Sequence, residues 1–185
     1  MKAVLFFFVM LTIALCSQNI EPKFGLTHIE AIFYYMVTTD PEKTQKLEDG
    51  SEKYWYREST EYPHRRVGFV INNDELVGTD FIERHDVKFD EFWSIVDKKI
   101  KFWKKKYGKP VYATWGTFPY PVEIPDKSFT KEKVRSHLDQ NEFVNIKFAS
   151  KNVHISSVLS KNREYGGYTV RDESYAREYW DKIKK

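Results

Sequence analysis

Residues 89–107 form the segment that most constrains how this chain can fold. At the 100° turn of an α-helix, its large apolar side chains fall within one arc of about 100°. These side chains are Phe89, Phe92, Trp93, Val96, Ile100, Trp103 and Tyr107. Asp90 and Glu91 lie in the first turn and three lysines lie in the last, which complements the helix dipole, and Gly108 ends the helix. The segment predicts an amphipathic helix of about 28 Å, long enough to cover a β-sheet.

Alternating apolar residues predict the strands of that sheet. Apolar side chains alternate over Val67–Ile71, turn residues occupy Asn72–Glu75, and the chain returns through Leu76–Ile82. Gly78 lies inside the return strand, where a β-bulge would re-aim the side chains. Further strands are expected at Tyr54–Tyr56, Val111–Trp115, Val144–Phe148 and Val153–Ile155.

Capping residues predict three shorter helices. Thr27 and Glu30 have capping-box spacing, which favours a helix over roughly 28–37, and Thr130 would cap a helix over 131–139. Asp172 is predicted to cap a final helix. The apolar stripe of that helix would consist of Tyr175, Ala176, Tyr179, Trp180 and Ile183.

These elements predict an α+β fold. We expect an antiparallel sheet of five to six strands with the long helix, about 89–107, packed on one face, together with short N-terminal, inserted and C-terminal helices. The polar stretch 38–50 and the proline-rich stretch 119–125 are expected to be loops. Since no internal repeat or low-complexity linker is present, residues 18–185 are predicted to form a single domain.

Residues 1–17 are predicted to be a cleavable signal peptide. Lys2 is followed by about a dozen apolar residues and then by small residues near Cys16, and this run is shorter than the roughly 20 residues of a membrane-spanning helix. We therefore expect a protein exported to the periplasm or secreted. An uncleaved anchor and a lipid anchor at Cys16 are the alternatives. Because Cys16 is the single cysteine, the domain after cleavage would contain no thiol and no disulfide.

Charge and composition exclude few classes of binding partner. The formal net charge is +3 and the charged residues are interspersed, so no field strong enough to attract nucleic acid is expected. Membrane contact is not expected after signal cleavage unless Cys16 is lipidated. Aromatic residues make up 17% of the chain, which fits both a compact sheet and an aromatic-lined groove.

The polar side of the long helix is a candidate interaction surface. Its lysines are assigned to the arc opposite the apolar stripe, where a solvated face is expected: Lys98, Lys99, Lys101, Lys104, Lys105 and Lys106, with Lys109 beyond. Ile95 and Phe102 project from this arc in one helical column. They are expected either to be covered by the proline-rich stretch or to contact a partner. The predicted surface comprises Ile95, Phe102, Lys99 and Lys106.

Residues for catalysis or metal binding are not marked by any motif. No serine elbow or phosphate loop is present, and the histidines lack zinc-helix spacing: His28, His64, His85, His137 and His154. Glu83 and His85 share a strand face and could form a metal or acid–base pair, although a solvated strand end is the favoured reading. The cluster at 64–66 could bind an anion or be an ordinary loop. No catalytic residue, metal or cofactor is assigned, and carboxylate pairs stay open because only geometry could select them.

The order of elements resembles that of uncharacterised exported proteins of bacteria of the Bacteroidetes type. The likeness lies in the helix start Phe24–Glu30, the turn Asn72–Leu76, the helix end Lys106–Pro110 with Trp115 after it, and the leader ending Cys16–Asn19. A weaker likeness to small outer-membrane assembly lipoproteins rests on the helix start, whereas here the long helix follows the hairpin. The resemblance covers residues 24–160 in outline and implies architecture without catalytic residues.

Three functions are compatible with these observations. We expect a non-enzymatic binding or interaction module of the envelope or extracellular space, whose partner is another envelope protein or a cell-wall component. The alternative is a hydrolase that acts on a polymer through carboxylates and holds it on an aromatic surface. A third hypothesis is binding to a membrane surface through the lysines of the long helix.

Overall fold

The computed structural model describes residues 21–35, 37, 40–57, 65–116, 121–162 and 166–184. The predicted signal peptide, with Cys16, lies outside them. Within them the chain forms four α-helices, a 3₁₀ turn at Asp126–Ser128 and one sheet of nine strands. The helices are α1 (His28–Tyr34), α2 (Phe89–Tyr107), α3 (Lys131–Asp139) and α4 (Arg177–Ile183). The strands are β1 (Lys43–Lys46), β2 (Glu52–Arg57), β3 (Arg65–Asn72), β4 (Glu75–His85), β5 (Val111–Trp115), β6 (Val122–Ile124), β7 (Phe143–Ala149), β8 (Val153–Lys161) and β9 (Tyr168–Ala176).

The sheet is antiparallel throughout and has the order β1-β2-β3-β4-β9-β8-β7-β5-β6. Strands β1 to β4 form a meander, and β9, the last strand along the chain, inserts between β4 and β8. The central pair β4–β9 therefore joins the N-terminal meander to the C-terminal strands. The predicted α+β class, with the long helix on one face of an antiparallel sheet, is confirmed.

The predicted number of strands is wrong, because the described part of the sheet has nine and not five to six. Two of the additional strands, β1 and β6, lie in the stretches predicted to be loops. Both are short edge strands. The lysines at the two ends of β1 and the prolines on either side of β6 are features that keep a sheet edge from pairing with another chain. Because of the same residues, a pattern of alternating apolar side chains does not reveal these two strands.

The third additional strand, β9, corrects the predicted C-terminal helix. Asp172 does not cap a helix but lies in the middle of β9, between Phe81 of β4 and Ser157 of β8. Helix α4 begins only at Arg177. The inward positions of β9 include the polar residues Asp172 and Ser174, so the strand lacks the apolar alternation that reveals β3.

Other local predictions are confirmed. Helices α2 and α3 have the predicted bounds, and Thr27 and Glu30 form the predicted capping box, although α1 ends at Tyr34. Asn73 and Asp74 adopt the positive φ angles of a tight hairpin turn. The β3–β4 register shifts beside Val70, the residue opposite Gly78, which places the predicted bulge there.

The two faces of the sheet are covered unequally. Helices α1, α2 and α3 pack on one face, called the helix face; the opposite face, called the open face, is covered by α4 alone among the described elements. The buried apolar residues of the helix face form one cluster under α2 and α3 and a smaller one beside α1. Strands β4 and β9 lie between these clusters.

Candidate functional site

Charged side chains occupy both faces of the central strands β4 and β9. Asp80, Arg171 and Glu173 project onto the open face, whereas Glu83 and Asp172 project onto the helix face. Successive side chains of a strand alternate between faces, so these groups lie back to back across one strand pair. The centre of a large sheet is where apolar residues are expected, and the polar groups there define the candidate site.

On the open face, Lys53, Asp80, Arg171 and Glu173 form a network that we call the charge ladder. The ammonium of Lys53 lies 2.5 Å from Asp80 Oδ2. Arg171 donates to both oxygens of Asp80, at 3.0 Å from Nε and 2.7 Å from Nη2, and Nη2 is 2.6 Å from Glu173 Oε1. The ladder connects β2, β4 and β9 across the sheet.

The side chain of Trp55 covers the Lys53–Asp80 part of the charge ladder on the open face. Asp80 is fully buried and Lys53 is only 7% exposed. The indole ring of Trp55 lies with its centroid 4.4 Å from the Lys53 ammonium, a cation–π distance. Gly68 makes this possible, since a Cβ there would lie 3.0 Å from Lys53 Cε and 3.1 Å from the indole. The ring excludes water and thereby strengthens the ion pair beneath it.

A second aromatic side chain, Tyr175, lies over a glycine of the neighbouring strand. A Cβ on Gly78 would lie 2.6 Å from the Tyr175 ring. The ring stacks at 5.2 Å on Trp180 of α4, which stacks at 4.0 Å on His154. We call Trp55, Tyr175, Trp180 and His154 the aromatic strip. It follows the end of the open face that α4 covers.

The surroundings shift the pKa values of two open-face groups. Burial raises the pKa of Glu173, and the charge of Asp80 adds to the effect. Burial lowers the pKa of His154 to about 4, with the neighbouring charges of Lys184 and Lys147 acting in the same direction. His154 is therefore neutral near pH 7.

On the helix face, Lys99, Asp172, Ser157 and Glu83 form a buried group that we call the polar seam. The Lys99 ammonium lies 2.5 Å from Asp172 Oδ2 and 3.8 Å from Glu83. The hydroxyl of Ser157 donates to Asp172 Oδ1 at 2.5 Å. Burial raises the pKa of Asp172, and Lys99 and Ser157 only partly oppose this. The seam separates the two apolar clusters.

The polar seam is closed to ligands. The crevice beside it, between α2 and the sheet, has no room for a water molecule and is lined mainly by apolar side chains such as Val96 and Trp103. Thr79 of β4 is fully buried as well, and among the residues that the structure describes its hydroxyl forms no hydrogen bond. We therefore assign the seam to the architecture of the fold.

The four residues of the predicted interaction surface lie in different surroundings. Lys99 is 8% exposed and pairs with Asp172, so its assignment to the solvated arc is corrected. It follows Phe92 by seven residues, two helical turns, and therefore lies at the border of the apolar stripe. Ile95 is half-buried, Phe102 is 38% exposed, and Lys106 forms an ion pair with Glu21.

In its described part, the proline-rich stretch does not lie over Ile95 and Phe102. Its described part, 121–125, contains β6 beyond β5 at the sheet edge, on the side of α2 where Trp93 contacts Phe129. Ile95 and Phe102 lie on the opposite flank with Lys99, whose ammonium faces β9. The predicted partner contact at this flank stays a prediction.

The histidines outside the open face have local partners. His28 Nε2 lies 2.5 Å from the Tyr56 hydroxyl, and His137 Nδ1 lies 2.5 Å from Glu142 Oε2. His85 Nε2 lies 3.3 Å from Glu83 Oε2, so His85 is a half-buried neighbour of the polar seam, to which Glu83 belongs, and the predicted pair is not a solvated strand end. His64 lies outside the described residues. No group of three metal-ligating side chains occurs among those described.

Sequence reasoning missed the open-face residues as a group. Lys53, Asp80 and Arg171 are distant in the chain, and each stands beside apolar or aromatic residues that dominate the local pattern. One signal was available, since Gly68 and Gly78 occupy paired strands near the aromatic residues, where a glycine indicates the close approach of another group.

Comparison with known proteins assigns no family. A scan against protein-family models finds no match, and searches of curated proteins and of solved structures find none either. No helix in the described ranges is long and apolar enough to cross a membrane. The function must therefore be argued from the site itself.

Proposed function

We propose that the protein is an exported, non-enzymatic binding module that holds a component of the cell envelope or extracellular space on the open face of its sheet. The observation that carries the proposal is the combination of the charge ladder, on β2, β4 and β9, with the aromatic strip, on β2, β8, β9 and α4. Half-exposed rings beside fixed charged groups form the kind of surface that makes strong contacts in interfaces.

The geometry favours binding over hydrolysis of a polymer. The hydrolase alternative requires two neighbouring carboxylates, and Asp80 and Glu173 lie directly opposite each other on β4 and β9. However, Asp80 is fully buried and both its oxygens accept hydrogen bonds from Arg171. A carboxylate in that position cannot approach a substrate, which leaves Glu173 without the second carboxylate that glycoside hydrolysis uses.

The open face is also favoured over the sheet edges. Addition of a partner strand needs a long, unobstructed edge. The edge strand β1 has four residues, all exposed and two of them lysines, and β6 has three residues between two prolines. These edges are protected against pairing. A partner would bind the side chains of the sheet and not its backbone.

Site-directed photo-crosslinking tests the proposal. With Cys16 replaced by serine the chain has no other cysteine, so one thiol can be placed at will. Thr169→Cys places a crosslinker on the open face and Lys98→Cys places it on the exposed side of α2. Both labelled proteins are incubated with envelope and cell-wall fractions of the source cells and irradiated.

The proposal predicts that the Thr169→Cys protein acquires a specific adduct and that the Lys98→Cys protein does not. An excess of unlabelled protein should abolish the adduct. Adducts at Lys98→Cys alone, or none at either position, would contradict binding on the open face. Turnover of the bound polymer that is lost in Glu173→Gln would contradict the non-enzymatic part.

A further inference from the structure

Four arginines lie on the open face beside the charge ladder, and we call them the arginine band. They are Arg57 of β2, Arg66 of β3, Arg84 of β4 and Arg171 of β9. Arg57 is directly opposite Arg66, and Arg66 and Arg171 lie on either side of Ile82. Like charges directly opposite on paired strands destabilise a sheet. Such an arrangement is relieved when an anion binds between them.

Half of the band has no counter-ion among the described residues. Arg171 is engaged by Asp80 and Glu173, and Arg57 pairs with Glu42. Arg66 and Arg84 are exposed, and neither has an ion-pair partner among the residues that the structure describes. Their guanidinium groups are therefore available to an external anion, and their planar fork of donors suits carboxylate or sulfate groups.

The aromatic rings next to the band indicate a ligand with flat apolar faces. Trp55 lies against Gly68 and Tyr175 against Gly78, on the neighbouring strands β3 and β4. Gly68 and Gly78 occupy diagonal positions on these paired strands, which are about 7–8 Å apart, so the rings that cover them mark neighbouring places that one chain-like ligand can span. Each ring packs on the sheet and stays half-exposed. Pyranose rings present the C–H faces that stack on such surfaces, and their hydroxyls can bond Glu173 and Arg171.

We propose that the open face binds an acidic polysaccharide, whose sugar rings stack on Trp55 and Tyr175 and whose carboxylate or sulfate groups pair with Arg66 and Arg84. This inference rests on the proposed function and names the class of its ligand. It requires both features of the face, since a neutral glycan would leave the arginines unpaired and a simple anion would leave the rings unused.

A nucleic acid would also present anions and flat rings, but the face suits it less. The carboxylates of Asp80 and Glu173 lie in the same cross-strand row as Trp55, next to the row of Arg66 and Arg171, where a continuous phosphate backbone would meet repulsion. The chain has a formal net charge of only +3, without the strong basic excess of nucleic-acid-binding domains. An oligonucleotide therefore serves as a competing probe.

Titration calorimetry of the purified protein tests the inference. The probes are a polyuronate, a neutral glucan of similar length and a single-stranded oligonucleotide. Arg66→Ala/Arg84→Ala removes the two unpaired arginines, and Lys98→Ala/Lys105→Ala removes two exposed charges from α2 as a matched control. Trp55→Leu keeps an apolar cover over Lys53 without an aromatic ring, and Trp55→Phe keeps the ring. Thermal unfolding shows that each variant is folded.

We expect the polyuronate to bind at least tenfold tighter than the other two probes. The arginine double variant should lose about tenfold or more in affinity and the lysine double variant less than about twofold. Trp55→Leu should weaken binding more than Trp55→Phe does. Equal losses in the two double variants, tighter binding of the oligonucleotide, or equal binding of the neutral glucan would overturn the inference.

The two proposals fail separately. If the Thr169→Cys crosslinker captures envelope material while the polyuronate does not bind, the acidic polysaccharide is wrong and the binding module stands. If the crosslinker captures nothing and the polyuronate does not bind, both are wrong.

Discussion

The two faces of the strand pair β4–β9 bury charge in different ways. On the open face, Asp80 pairs with two cations, Lys53 and Arg171, and an indole ring covers Lys53. On the helix face, Asp172 has one cation, Lys99, and a hydroxyl. The difference in partners matters because a buried carboxylate is stable as an anion only when its neighbours replace the lost water. Asp172, with fewer partners, has a raised pKa.

The comparison also separates architecture from function. The polar seam is enclosed by α2 and lies between the two apolar clusters, so its groups contact only the protein. The charge ladder is built as tightly, yet it lies beside exposed arginines and half-exposed rings. A surface is pre-organised for binding when charged groups held rigidly by internal ion pairs lie next to groups that a ligand can contact.

Removing the Asp80 charge should have the largest effect on stability. Asp80→Asn leaves the buried Lys53 without its counter-ion and leaves Arg171 with Glu173 alone. We expect a loss of about 3–5 kcal/mol in the free energy of unfolding, measured by urea denaturation. Asp97→Asn, at an exposed position on α2, is the matched control. A loss near that of the control would show that the ladder contributes little.

The same change on the helix face should cost less. Asp172→Asn removes the partner of Lys99 but also removes an anion that burial disfavours, and the amide oxygen can still accept from Ser157. We expect a loss of about 1–2 kcal/mol by the same denaturation. If Asp172→Asn destabilises the protein more than Asp80→Asn does, the contrast between the two faces is wrong.

The pH dependence of stability should report on the aromatic strip. The pKa of His154 falls from 6.5 to about 4 on folding, so its contribution is present above pH 6.5 and is lost as the pH falls through 6.5 towards 4. We expect His154→Gln to remove about 1–2 kcal/mol of the acid-induced loss, since partial exposure reduces the full effect. Denaturation of both proteins at pH 4.5 and 7 measures this. Parallel pH profiles would contradict it.

The smallest effect is expected on the outer side of α2. Lys101 pairs with Asp97 one turn earlier, and the lysine side chain is 75% exposed. Such pairs contribute little because water screens them, so Lys101→Ala should change the free energy of unfolding by less than about 0.5 kcal/mol. A loss above about 1 kcal/mol would show that this side of the helix is not simply solvated.

The sequence predicts the elements that follow one local rule. Helix α2, its C-cap Gly108 and the β3–β4 hairpin carry regular periods and turn residues, and their positions are confirmed. Strand β9 is not predicted because Asp172 and Ser174 interrupt its inward pattern with polar residues, and the partners of Asp172, Lys99 and Ser157, are distant in the chain. Only the paired sheet shows that these residues belong inside.

The candidate site shows the same limit. Arg66 belongs to a cluster that the sequence marks as a possible anion site, but nothing local places it beside Arg171, which is more than 100 residues later in the chain. Trp55 and Tyr175 are evident as aromatic residues, yet their arrangement depends on Gly68 and Gly78 of other strands. Sites assembled from several strands of a sheet are determined by register, which composition does not contain.

The indole N–H signals of the five tryptophans offer the most direct test of the open face as the binding face. Trp55 lies on that face, whereas Trp93 and Trp103 pack against the cluster under α2. We predict that titration of nitrogen-15-labelled protein with a polyuronate shifts the Trp55 signal and leaves those of Trp93 and Trp103 in place. Shifts of Trp93 or Trp103 with an unchanged Trp55 signal would contradict the account.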